Sequence, residues 1–334
     1  MEFRYLQTFC MGLKKIFHAY ALVCKRTGYS NIKHMDTGMC LVEKSMTSIT
    51  LGTGVLWHGG KAIPGCPEAL QKLKELGKKI FYVTNNSSKT RAQVADKCRN
   101  MGFPADLENV VCTAHISALY LKNMNFTGKV YMVGNSSMAA ALDELGIRYE
   151  GIGPDVVAAS EASFDSVAKY QTEWKPNPEV RCVLVGFDPH ISYVKMIKAA
   201  TYASNKNNLF LATNEDPFLP TQDSVVIPGT GSIVATVKIP ARREPHIMGK
   251  PGTAMFDMLH EVHGLQAEKT IMVGDSLKTD IAMGVNCGIK SMLVLTGVDD
   301  LRRVEENQNS DDPHCRQVVP DYYIDSFATL GEYI

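Results

Sequence analysis

Short apolar runs alternate with amphipathic stretches along most of the chain, and the alternation predicts strands and helices in turn. Ser48–Trp57 (S-I-T-L-G-T-G-V-L-W) is strand-like and breaks at Gly52 and Gly54. Residues 59–67 (G-G-K-A-I-P-G-C-P) read as a loop, with Pro67 placed for the first turn of a helix. Glu68–Leu76 has helical periodicity, Gly77 can end it, and Lys79–Val83 is the next strand. Strand, helix and strand in such quick succession is the βαβ signature of a parallel sheet. Buried-type strands recur at Val110–Cys112, Val130–Val133, Arg181–Phe187, Leu209–Thr213, Thr270–Val273, Ser291–Leu295 and Tyr322–Ile324. Helical stretches lie between them, at Arg91–Met101, Ala114–Leu121, Ala139–Leu145, Tyr193–Ser204 and Thr253–His260. The pattern is α/β throughout, with a middle block set between two parts of one sheet.

Composition narrows the class. The chain has 334 residues, 45% hydrophobic and 21% charged, as in an ordinary soluble protein with ample core. Thirty-five basic residues balance 35 acidic ones, so no polyanion-binding surface is expected and nucleic acid is not an expected partner. Nine cysteines (10, 24, 40, 66, 98, 112, 182, 287, 315) are scattered without a C-x-x-C pair, which fits reduced thiols and a cytoplasmic location. No apolar run reaches the roughly 18 residues of a membrane span, so no membrane association is expected. The first 46 residues differ from the rest, with seven Lys/Arg against three Asp/Glu. Ile16–Cys24 is too short and too interrupted for a signal-peptide core, and Ser and Arg are sparse for a mitochondrial presequence. Residues 1–47 therefore read as a poorly packed extension.

The chemistry gathers around Thr270–Ile281 (T-I-M-V-G-D-S-L-K-T-D-I). Asp275 and Asp280 follow a buried strand, where open α/β sheets collect ligands, and two carboxylates there fit a hard-cation site. Lys250, in the Gly-Lys-Pro turn 249–251, adds a fixed cation suited to a phosphate ester. Thr84, Asn85 and Asn86 end an earlier strand and carry donors for phosphoryl oxygens. Gly229–Gly231 approaches a dinucleotide fingerprint, but Val234 fills the third glycine position, so no nucleotide cofactor is expected.

Thr84–Arg91 (T-N-N-S-S-K-T-R), Gly249-Lys250-Pro251 and Gly274-Asp275…Asp280 resemble the second, third and fourth motifs of the haloacid dehalogenase superfamily. Residues 186–193 (G-F-D-P-H-I-S-Y), 212–216 (A-T-N-E-D), 228–231 (P-G-T-G) and 320–325 (P-D-Y-Y-I-D) resemble its 4-nitrophenyl, 2-phosphoglycolate and pyridoxal phosphatase family. The likeness runs from about Val55 to the C-terminus. It implies a Rossmann-like core, at about 48–127 and 241–334, with an α/β cap inserted at about 128–240. It also implies Mg²⁺, a small phosphomonoester substrate and an aspartyl-phosphate mechanism. Thr84, Asn85, Asn86 and Lys250 would bind phosphate, Asp275 would ligate the metal, and Asp280 would act behind it. Asn214 and Asp216 in the cap read either as substrate contacts or as turn residues. Related caps often mediate dimers, so a homodimer through the cap is compatible with the resemblance.

One motif departs from the pattern. The family's first motif, D-x-D-G-V-L-W, aligns without a gap through Gly54-Val55-Leu56-Trp57. Leu51 then stands at the nucleophile position and Thr53 at the acid/base position, and neither can serve as the missing carboxylate. Losing a covalent nucleophile typically costs on the order of 10⁴ to 10⁶ in rate. The chain as written is expected to be inactive. Two accounts are open: a pseudoenzyme that binds phosphate esters or a protein partner, or a different first exon joined ahead of an ordinary phosphatase.

Overall fold

The computed structural model describes residues 33–34, 48–157, 163–219 and 224–334. Its strands in chain order are β1 (Lys33–His34), β2 (Ser48–Gly52), β3 (Trp57–His58), β4 (Lys61–Ala62), β5 (Lys79–Thr84) and β6 (Val110–Cys112). Then come β7 (Lys129–Val133), β8 (Tyr149–Glu150), β9 (Val180–Val185), β10 (Leu209–Ala212), β11 (Phe218–Leu219) and β12 (Ile227–Pro228). The last four are β13 (His246–Ile247), β14 (Thr270–Gly274), β15 (Lys290–Val294) and β16 (Tyr322–Ile324).

Seven strands form one sheet in the order β1-β16-β15-β14-β2-β5-β6, with every neighbouring pair parallel. This is the Rossmann-like α/β core. Parallel strands covered by helices on both faces read as continuous apolar runs, and β5 and β14 do so: apart from Lys79 at its start, β5 is buried throughout, and β14 is buried over its whole length. The first covering helix, α1 (Cys66–Glu75), has Pro67 in its first turn and buries Cys66, Ala69, Leu70 and Leu73, a helical stripe. The second, α2 (Arg91–Asn100), opens on a capping box between Thr90 and Gln93.

The inserted unit is a second all-parallel sheet, β13-β10-β9-β7-β8. It runs past the boundary at 240 drawn from the sequence. After the helix Thr230–Ala241, Arg242 takes a left-handed conformation and the chain returns as β13 beside β10. The two sheets share packing through α3 (Thr113–Asn123). Its Ala114, Ile116, Ala118 and Leu121 join one apolar cluster with Phe81 and Val83 of β5 and with Met132, Leu184 and Leu211 of the cap.

Within the N-terminal extension only Lys33–His34 is described, as the edge strand β1 on β16; the rest of residues 1–47 lies outside the described residues. Among the described residues no helix is long and apolar enough to cross a membrane.

Candidate active site

β2 lies in the middle of the core sheet, between β14 and β5. Leu51 is paired with Val273 on one side and Tyr82 on the other, so the backbone of residue 51 arrives level with the end of β14. The chain then turns through a 3₁₀ segment, Thr53–Val55, that delivers Gly54 to the Asp275 carboxylate. A Cβ added at Gly54 would lie 2.4 Å from Asp275 Oδ2. Gly297, in the loop after β15, meets the same side chain from another direction; its added Cβ would lie 2.1 Å from the Asp275 Cβ. Both positions require glycine for the carboxylate to sit where it does.

Asp275 is buried, and burial, reinforced by the nearby Asp280, pushes its carboxyl up to about 6, with Lys250 opposing the rise. Asp280 is buried more deeply, on a π-helical turn (Leu277–Ile281). Its Oδ2 accepts the backbone N–H groups of Asp275 and Ser276, each at 3.3 Å. Its Oδ1 accepts from Lys250 Nζ at 2.6 Å. The same ammonium donates to the Val83 carbonyl at 3.3 Å, which ties the Lys250 turn to the end of β5.

Thr84 and Asn85 follow directly. The buried Thr84 hydroxyl accepts the N–H of Asn86 at 3.2 Å. The Asn85 side chain bonds both backbone groups of Lys250, accepting from its N–H at 2.8 Å and donating to its carbonyl at 3.0 Å. It also donates to Asp216 of the cap at 3.1 Å. Asn86 is exposed, and its Oδ1 accepts from the N–H and hydroxyl of Ser88. Lys250, Asp280, Asp275, Thr84 and Asn85 thus meet at the carboxyl ends of β5 and β14, while the Asn86 side-chain oxygen is engaged within its own loop.

Sequence reading overlooked several contributors. Asp299 accepts the N–H of Leu277 at 2.7 Å and donates its own N–H to the Asp275 carbonyl at 3.0 Å, closing the loop around the acid pair. Gly297 precedes it in T-G-V-D, where the glycine was the available signal. Asn214 and Asp216 are joined to each other by a hydrogen bond, so both are parts of one cap turn.

As a metal site the donor set is hard oxygen, and a buried carboxylate left short of positive charge fits a hard divalent cation. Among the described residues there is no group of three or more His, Cys, Asp or Glu side chains able to hold a metal alone. A cation that keeps most of its waters and needs one or two carboxylates is the kind that fits Asp275.

The family comparisons agree with this frame. Profiles of the haloacid dehalogenase-like hydrolases match residues 52–148 and 115–288, and a related HAD-hydrolase-like profile matches 247–330. The glycerol-3-phosphate phosphatase of Rattus norvegicus is 42% identical over 290 residues, covering 83% of this chain and 87% of the relative. The chain belongs to the haloacid dehalogenase-like hydrolases. Phosphoglycolate phosphatase 1A, chloroplastic, of Arabidopsis thaliana is 36% identical over 334 residues, covering 95% of this chain and 86% of that one. The solved p-nitrophenyl phosphatase from Archaeoglobus fulgidus superposes with a TM-score of 0.71 at 26% identity, covering 87% of this chain and 100% of that one. Within these hydrolases the present chain keeps the frame of the site and carries Leu51 and Thr53 in its first motif.

Proposed function

We propose that this chain binds small phosphomonoesters of the 2-phosphoglycolate, glycerol phosphate or aryl phosphate type on a phosphatase frame that has lost its hydrolytic carboxylates. The observation that supports the reading is the Lys250 ammonium, buried against Asp280 and tied to Val83 where β5 delivers Thr84 and Asn85. A fixed ammonium with a threonine hydroxyl and loop N–H groups around it suits a dianionic phosphoryl group. Asp275 would hold Mg²⁺, with Asp280 orienting the neighbouring backbone and Lys250. Bound there, the ion would neutralise phosphoryl oxygens. Leucine and threonine at positions 51 and 53 supply neither a nucleophilic carboxylate nor a proton-transferring one.

All six cysteines among the described residues are free, in keeping with a cytoplasmic protein. We further propose a homodimer through the cap, where the apolar Phe218, Val225 and Val226 are exposed; light scattering tests it.

The test is ligand-dependent melting together with phosphate release. With Mg²⁺ present, 2-phosphoglycolate, glycerol phosphate or inorganic phosphate is expected to raise the melting temperature, following RT ln(1 + [L]/Kd). Release from 4-nitrophenyl phosphate is expected to fall on the order of 10⁴-fold or more below an intact relative. Absence of any stabilisation removes the binding reading. Turnover at a relative's rate removes the claim of lost hydrolysis.

A further inference from the structure

Asn85 clasps Lys250 by both of its backbone polar groups, through the 2.8 Å and 3.0 Å bonds described above. The clasp depends on Gly249, where an added Cβ would lie 2.6 Å from Asn85 Oδ1. One hydrogen of the Asn85 amide is left over, and it goes to the cap, to Oδ2 of Asp216, 131 residues away in sequence. Asn214 donates to that same oxygen, and Asn214 is itself held by the Thr213 hydroxyl at 2.9 Å. The Asp216 carbonyl accepts the N–H of Gly231 at 2.9 Å. Asp216 is therefore fixed by two segments of the cap before it reaches the core.

The core loop 85–91 makes other bonds to the cap. Ser137 donates to the Ser88 carbonyl at 3.0 Å, and Arg91 pairs with Glu144 at 2.5 Å. Those contacts dock the cap, but neither touches Lys250. An asparagine χ2 is broad and settles only where its hydrogen bonds settle it. A carboxylate acceptor gives a stronger bond than a neutral one and pins the amide plane.

We infer that Asp216 is a positioning residue for Lys250, acting from the cap through the Asn85 amide. It makes seating of the cap and ordering of the Lys250 turn one event. Asp216 touches no ligand in this scheme; its effect passes through two hydrogen bonds. The inference rests on the reading of Lys250 as the cation that meets phosphate.

The experiment compares the full-length chain with Asp216→Ala, Asp216→Asn and Glu144→Ala. Two quantities are read: hydrogen exchange of the Lys250 amide and affinity for inorganic phosphate with Mg²⁺. Asp216→Ala is expected to speed exchange at Lys250 and weaken phosphate binding, each by about tenfold or more. Asp216→Asn keeps an acceptor oxygen and is expected to stay within about threefold of wild type in both. Glu144→Ala loosens the cap elsewhere and is expected to leave Lys250 exchange unchanged. Unchanged Lys250 exchange in Asp216→Ala overturns the inference, as does an equal acceleration in Glu144→Ala. Faster exchange in Asp216→Ala alone, with no phosphate binding by wild type, keeps the clasp and removes the phosphate reading instead.

Discussion

The Nζ of Lys250 lies 2.6 Å from Oδ1 of Asp280, and both side chains are almost wholly withdrawn from water. Such a pair is weak evidence for stability as a unit, but breaking it strands a buried charge. Lys250→Met and Asp280→Asn are each expected to lower stability by roughly 3–5 kcal/mol. The double variant is expected to lose much less than their sum. Urea denaturation of the four proteins measures the coupling, and additive losses would show that the pair carries none.

Restoring Leu51→Asp together with Thr53→Asp is expected to raise Mg²⁺-dependent phosphate release by about 10⁴-fold or more. β2 is paired on both sides, which brings residue 51 level with the end of β14. Leu51→Asp alone regains a nucleophile but lacks the group that activates water, so a covalent phosphate should accumulate, visible by intact mass. Thr53→Asp alone should do almost nothing. A double variant that folds, binds Mg²⁺ and stays inactive would count against the frame described above.

Metal binding at Asp275 should depend on pH in a definite direction. In the metal-free protein its carboxyl is held up at about 6, above the roughly 3.9 of an unfolded aspartate. The folded state thus keeps that proton longer. The stability contributed is fully present below about pH 4 and is lost as pH rises through about 6. Mg²⁺ needs the ionised group, so its stabilising effect should be present at pH 7 and fade below pH 6. Asp275→Asn should abolish it, and Gly297→Ala should too, because its methyl would collide with the Asp275 side chain. Melting curves with and without Mg²⁺ at pH 5 and pH 7 check all three; an Mg²⁺ effect that survives Asp275→Asn places the ion elsewhere.

His115 should impose the opposite slope. Burial, with Arg91 adding to it and Glu144 opposing, holds its imidazole down at about 4. The unfolded chain protonates first, near pH 6.5, so stability from this group is present above that value and drains away as pH falls toward 4. The loss is at most about 3 kcal/mol over that interval. Among the described residues its Nδ1 has no hydrogen-bond partner, and it stands 3.9 Å from Glu144 Oε2. His115→Gln should flatten the acid limb of the stability curve; an unaltered limb would assign the acid sensitivity to other groups.

Much of this could be seen in the chain before its fold. The run of apolar segments with intervening helices is a local signal, and β5, β14 and α1 formed where periodicity put them. Asp275, Asp280 and Lys250 were legible because strand ends and a Gly-Lys-Pro turn are themselves local. The partners of Asn85 were not, since an amide says nothing about which of its bonds will face phosphate, a backbone turn or a distant cap. Asn86 shows the same limit, its oxygen taken by Ser88 two residues on. Gly297 and Asp299 close around Asp275 only once β15 lies beside β14. The Arg91–Glu144 contact likewise arises only where two separately folded layers meet.

The ladders on either side of β2 also decide what a change at residue 51 can disturb. Backbone hydrogen bonds, not side chains, stitch that residue into the middle of the sheet, so the strand's pairing does not depend on which side chain stands there. The Leu51→Asp, Thr53→Asp variant is therefore expected to keep the register of the sheet, with amide exchange along β2 as slow as in the parent. Rapid exchange confined to that strand would show that the ladder leans on the leucine after all.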